Sequence, residues 1–153
     1  MVDFVKANLL DIESMQNLVK ISVEDGVILN RSDDEVATNI RSYTLAKVNG
    51  QIVGYLALHI HSIRLAEIRS LIVAEEFRGR GVGFGLVQRA LDEAKELGVK
   101  EVLVLTYLPE FFKRLGFIEI PKETIPEHKI WADCIKCIHF PICNEVSLIY
   151  KEE

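Results

Sequence analysis

Two rhythms of apolar residues alternate along the chain. Ile12, Met15, Val19 and Val23 recur at helical spacing, as do Val82, Leu86, Val87, Ala90, Leu91, Ala94 and Leu97. The first set predicts a helix that begins near the capping candidates Asn8 and Asp11 and runs up to Gly26. The second predicts a helix over about 81–97, with Gly98 where a C-terminal cap belongs. Ser32 followed by Glu35 has the spacing of a capping box, which predicts a short helix from Ser32 to Arg41. Strand-like runs occupy residues 2–7, Tyr43–Val48, Gln51–His59, Ala66–Val73 and Glu101–Leu105. Asn49-Gly50 lies between the second and third of these and predicts a tight antiparallel hairpin. A short helix over Pro109–Leu115 ends at Gly116, a strand over Phe117–Ile120 follows, and residues 145–150 form the last strand.

Antiparallel strands first, then a strand–helix–strand unit, make an α+β domain with a mixed sheet. At 153 residues, 49% of them hydrophobic and 27% charged, the chain is expected to form one domain, 1–153, with a substantial core. No basic stretch with a following apolar run opens it and no segment approaches the length of a membrane span, so a cytoplasmic location with no membrane partner is expected. A formal net charge of −5 argues against a nucleic-acid partner; an anionic ligand would have to be met by local cations.

Such cations stand at one junction. Val73-Ala-Glu-Glu-Phe-Arg-Gly-Arg-Gly-Val-Gly83 joins an apolar strand to a helix through Gly79, Gly81 and Gly83, with Arg78 and Arg80 between them. Without Cβ atoms, the backbone N–H groups there can approach a diphosphate, the helix dipole adds about half a positive charge, and the arginines supply forked donors. A dinucleotide fingerprint fails, because the sixth position counted from Gly79 is Phe84 and counted from Gly81 is Leu86. A Walker loop fails too, since no Gly-Lys-Ser/Thr follows. The competing reading is a turn that only lets a helix pack closely on a sheet, although packing alone has no use for the two arginines.

Arg78, Gly81 and Gly83 fill the pattern Arg/Gln-x-x-Gly-x-Gly/Ala, with Leu71-Ile-Val before it and Phe112-Lys-Arg-Leu-Gly-Phe117 after it. In that order these motifs resemble the GNAT acyltransferases over nearly the whole chain. The resemblance implies a central, mostly antiparallel sheet with a splayed parallel pair and flanking helices, and acetyl-coenzyme A (acetyl-CoA) as co-substrate. It assigns the diphosphate to Arg78, Gly79, Arg80, Gly81, Val82 and Gly83, and the pantetheine arm to backbone groups of Leu71, Ile72 and Val73, which would bind as an added strand does. One such N–H would polarise the thioester carbonyl. Phe112 stands where many members carry a tyrosine that protonates the leaving thiolate. A phenyl ring has no proton to give, but a thiol of pKa about 8 to 9 leaves readily and water can serve. Tyr107 is a weaker substitute.

Acetyl transfer to an amine needs a group that removes the ammonium proton. Glu67 is the candidate base, eleven residues before Arg78 as in histone-acetylating members of the superfamily. A glutamate on a half-exposed strand, or one paired with Arg69, is the structural alternative. Gly26-Val-Ile-Leu-Asn-Arg-Ser32, Glu67-Ile-Arg-Ser-Leu-Ile-Val73, Val104-Leu-Thr106 and Ile125-Pro-Glu-His-Lys further resemble the acetyltransferase domain of N-acetylglutamate synthase. That likeness implies the α-amino group of glutamate as acceptor and a place in arginine biosynthesis. The long form's kinase-like, arginine-sensing domain has no room here. Two substrate carboxylates call for arginines, of which Arg31 is the first choice and Arg69 the second, on the same strand face as Glu67 unless a bulge intervenes. His59 is a third candidate. Surface ion pairs are the alternative for both arginines.

Cys134, Cys137, His139 and Cys143 could supply one tetrahedral zinc, but their spacing is too tight for the usual two ligand pairs, and reduced, partly buried cysteines are favoured, with Trp131 and Phe140 packing the tail. No metal is therefore assigned. Three functions remain in play: acetylation of an amino acid; acetylation of a protein amino terminus, lysine or polyamine; and non-catalytic acyl-CoA sensing. A homodimer is compatible with each.

Overall fold

The structure is a computed structural model that describes residues 1–25, 28, 30–121, 124 and 145–151. Its strands are β1 (Asp3–Lys6), β2 (Tyr43–Val48), β3 (Gln51–Ile60), β4 (Leu65–Val73), β5 (Glu101–Thr106), β6 (Ile118–Glu119) and β7 (Val146–Lys151). Its helices are α1 (Ile12–Glu24), α2 (Asp33–Thr38), α3 (Val82–Leu97) and α4 (Pro109–Lys113). Among the described residues the seven strands form one sheet in the order β1-β2-β3-β4-β5-β7-β6. Every neighbouring pair is antiparallel except β4 and β5, which are parallel across the α3 crossover.

Local chemistry accounts for most boundaries. Asn8 accepts from the Leu10 N–H and Asp11 reaches back to the Asn8 N–H, closing the turn that leads into α1. Ser32 and Glu35 do the same for α2, which is shorter than its sequence suggested: it stops at Thr38, and Ile40–Ser42 is a separate 3₁₀ turn. Asn49 and Gly50 adopt φ of 52° and 78°, the left-handed pair that a two-residue hairpin turn requires. β6 keeps only two residues of its expected run.

The sheet has a core on each face. Ala66, Ile68, Val102, Val104 and Leu148 meet Val82, Leu86, Val87, Ala90 and Ala94 of α3 on one side, joined by Phe112 and Phe117. Met15 and Val19 of α1 and Val36 of α2 meet Tyr43, Leu45, Tyr55 and Ile72 on the other. Gly85 lets α3 sit close to β1, since a Cβ there would lie 2.2 Å from the Phe4 ring.

Two irregularities in β4 prepare the site. Tyr55 pairs with Ile72 and Ala57 with Arg69, so Ser70 and Leu71 together oppose Leu56 in a bulge. Ser70 takes the extra turn at φ 57°, a conformation that costs a non-glycine residue on the order of 1–3 kcal/mol. On the other edge, pairing with β5 runs from Leu65↔Glu101 to Ile68↔Val104 and stops. Among the described residues no strand pairs with that edge of β4 beyond Ile68, so the parallel pair is splayed.

Candidate active site

Three features meet along β4. The first is the junction with α3. A 3₁₀ turn, Glu75–Phe77, leads from the strand, and Gly81 caps the helix with no side-chain hydrogen bond to the first-turn N–H groups. Gly79 and Gly81 hold φ of 76° and 82°, and a Cβ added at either would meet nothing within 4 Å. These two glycines therefore serve the left-handed backbone of the turn and not close packing. Gly83 differs: a Cβ there would come 3.2 Å from Phe111, so this glycine does permit close packing. Arg78 donates from Nε to the Val73 carbonyl at 3.1 Å, and Arg80 lies over the Phe77 ring. Both guanidinium groups stay beside the uncapped helix end. Val82 is fully inside the core, so only its backbone can face a ligand.

Next comes the splay itself. Leu71 and Val73 turn their side chains to the α3 core and Ile72 to the α1 core, as the aliphatic sequence suggested. What they offer a ligand is the main chain on the unpaired edge. Phe112, expected beside the cofactor, is a core residue of α4. Its ring is 2% exposed and packed edge-on between Phe111 and Phe117. Phe111, its neighbour, lies against Phe84 and beside Gly83. The stagger follows from the short α4, whose successive residues cannot share a face.

The third feature lies on the α1 face, where Glu67, Arg69 and Ser70 all stand because the bulge begins only after Arg69. Glu67 is 3% exposed. Its Oε1 accepts from Arg69 Nε at 3.2 Å and lies 2.8 Å from His61 Nε2. Both expectations about Glu67 thus meet in one group: it is paired with Arg69, and it is buried where a carboxylate needs a reason to be. Beyond the bulge a recess is lined by Gln16, Arg31, Tyr43, Tyr55 and Ser70 among others. Arg31 also reaches Glu35 at 4.0 Å, a long contact to a half-exposed carboxylate. Burial raises the Tyr43 hydroxyl above its usual range, and Arg31 and Arg69 both pull the other way, which puts the two guanidinium groups within electrostatic reach of one phenol. Burial also raises Tyr55, with Tyr43 adding to it.

His59 stands cross-strand from Glu67, its ring 4.8 Å from that of His61 and edge-on to it. Tyr107 lies just past β5 and is partly exposed. Cys134, Cys137, His139 and Cys143, with Trp131 and Phe140, fall outside the described residues, among which no cluster of metal-binding side chains occurs. Sequence reasoning missed His61, Tyr43, Tyr55 and Gln16. None left a local signal, since each reaches the site only through strand pairing or helix packing.

The chain compares closely with known proteins. Residues 11–117 match the Acetyltransferase (GNAT) family. An uncharacterized N-acetyltransferase of Chlorobaculum tepidum is 40% identical over 143 residues, covering 94% of this chain and 92% of that protein. An amino-acid acetyltransferase of Vibrio cholerae is 27% identical over 126 residues, 81% of this chain, which spans only 28% of that longer protein. In fold, N-acetylglutamate synthase from Neisseria gonorrhoeae, solved with coenzyme A and N-acetyl-glutamate, aligns with a TM-score of 0.89 and 22% identity over 100% of this chain and 35% of its own. No helix among the described residues is long and apolar enough to cross a membrane. With 107 consecutive residues matched, a full-length relative at 40% identity and the splayed, bulged sheet in place, the chain belongs to the GNAT family of acetyltransferases.

Proposed function

We propose that this protein transfers the acetyl group of acetyl-CoA to the α-amino group of an amino acid, with L-glutamate as the acceptor and the whole chain, 1–153, acting as one acetyltransferase domain. The observation that carries this reading is the convergence on one strand: β4 leads from a buried Glu67–Arg69 pair, past a recess bearing a second arginine, to an uncapped helix end flanked by Arg78 and Arg80. The extended run from Glu67 to Val73 and the 3₁₀ turn Glu75–Phe77 separate the carboxylate from the glycine junction.

In this reading the amides of Gly79, Arg80, Gly81, Val82 and Gly83 hold the diphosphate with Arg78 and Arg80, and the open edge at Leu71, Ile72 and Val73 holds the pantetheine arm. A β4 N–H near the bulge steadies the thioester oxygen, while Phe112 supports Phe111 from behind. Glu67 takes one proton from the substrate ammonium. The nitrogen then forms its bond to the acetyl carbon as the carbon–sulfur bond breaks, and the second proton that the nitrogen loses passes through water to the departing thiolate. Arg31 and Arg69 face the acceptor's carboxylates. Amino-acid acetyltransferases among the relatives, and a neighbour solved with coenzyme A and N-acetyl-glutamate, support an amino-acid acceptor. Arg31 at the recess, with Arg69 near the same Tyr43 phenol, counts against a polyamine.

A thiol-release screen with acetyl-CoA across the amino acids, simple amines and an amino-terminal peptide tests this. Release with glutamate above all others is the expected result. Release only with polyamines or peptides would replace the acceptor, and none with any amine would leave an acyl-CoA binding protein instead.

A further inference from the structure

His61 is a buried side chain in contact with Glu67 to which nothing so far gives work. It sits in the turn that connects β3 to β4, and that turn is tied down on both sides. The His61 and Ser62 N–H groups donate to the Leu65 carbonyl at 2.9 and 3.1 Å. The Ser62 hydroxyl accepts from the N–H groups of Arg64 and Leu65. His59 closes over the ring edge-on at 4.8 Å. The imidazole is thereby fixed with Nε2 2.8 Å from Glu67 Oε1, both side chains no more than 4% exposed.

The other groups around Glu67 differ from His61 in kind. Arg69 is permanently cationic, so it can orient the carboxylate but cannot accept a proton from it. The neighbour on β5, Leu103, is apolar, and His59 is cross-strand on β3. His61 is in direct contact with the carboxylate, and an imidazole can both accept and donate a proton. A carboxylate that takes a proton in every cycle must give it up again, and a ring nitrogen 2.8 Å away is placed to receive it. We infer that His61 is a positioning residue for Glu67, holding the carboxylate toward the amine and relaying the proton it collects.

This inference rests on Glu67 being the base, and the test separates the two. Rates of acetyl transfer are measured against pH for the wild-type protein, His61→Gln, Glu67→Gln and the double variant, with coenzyme A affinity and thermal unfolding recorded for each. Glu67→Gln should lower kcat by about 10²- to 10⁴-fold, the usual worth of a general base. His61→Gln should lower kcat about tenfold or more at unchanged coenzyme A affinity. Because a donor to the ionised carboxylate is lost, its acid limb should move to higher pH. The double variant should be no slower than Glu67→Gln alone. His61→Gln with a wild-type rate and pH profile, beside a slow Glu67→Gln, overturns the inference and leaves the base assignment standing. An unimpaired Glu67→Gln, or a wild-type protein that acetylates no amine, overturns both. If His61→Gln does not fold, His61→Asn with added imidazole carries the same comparison, with rescue expected and its absence counting against the relay.

Discussion

The two ends of α3 provide a matched pair of substitutions. Gly81 begins the helix at φ 82° and Gly98 ends it at 87°, and an added Cβ meets nothing within 4 Å at either. Alanine in the left-handed region costs roughly 1–2 kcal/mol at each position, with no clash to add. For a chain of this size that lowers Tm by about 2 to 8 °C. Gly81→Ala and Gly98→Ala should therefore be equally destabilised. Their affinities for coenzyme A should differ. The Cβ at 81 would project where a diphosphate meets the uncapped amides, and losing one charge-assisted hydrogen bond costs about 1.5–3 kcal/mol, or roughly ten- to a hundredfold in Kd. Gly98, at the far end of a 16-residue helix about 24 Å long, has no such role. Calorimetric titration of coenzyme A, beside thermal melts, reads both quantities. Equal Kd values for the two variants would refute the diphosphate cradle however the melts turned out.

Three further outcomes follow from the geometry. Arg31→Ala should raise KM for glutamate about tenfold or more while leaving KM for acetyl-CoA unchanged; unaltered glutamate kinetics would remove Arg31 from the acceptor site. The Ser147 hydroxyl is buried with no hydrogen-bond partner among the described residues, so Ser147→Ala should leave thermal stability unchanged or raise it, and a loss above about 1 kcal/mol would mean that the hydroxyl is in fact satisfied. Tyr43 and Tyr55 both titrate above the ordinary value of 10.0 in the folded protein because burial disfavours the phenolate. The folded state then holds more protons than the unfolded one above about pH 10, so stability is intact below that pH and falls as pH rises, by up to about 1.4 kcal/mol per unit for each tyrosine. Tyr55→Phe should flatten the alkaline loss measured by denaturant melts; an unchanged slope would refute this account.

Local signals carried much of the architecture because each acts within a few residues. The capping boxes at Asn8 and Ser32, the Asn49-Gly50 turn, the apolar stripe of α3 and its Gly98 cap are short-range chemistry, and all appear where the sequence puts them. The glycine–arginine junction was legible for the same reason, since its left-handed turns need glycine at 79 and 81. Boundaries that depend on neighbours were not. α2 stops at Thr38 and β6 shrinks to two residues because tertiary pairing, not propensity, decides where they end.

Within the site, sequence alone named Glu67, Arg69 and Arg31 from residue type and motif, but it left open whether Glu67 was a surface charge, an Arg69 partner or a base. Only the folded sheet decided that the carboxylate is buried and that Arg69 shares its face, because the bulge lies at Ser70 rather than between them. Bulge placement comes from how β3 and β4 register over ten residues, which no local pattern encodes. The same dependence hid His61, whose distance of 2.8 Å to Glu67 follows from strand pairing and a tied turn. Residue chemistry is written along the chain, whereas its proximity to other chemistry comes into being only when distant strands are paired and their side chains are assigned to one face or the other.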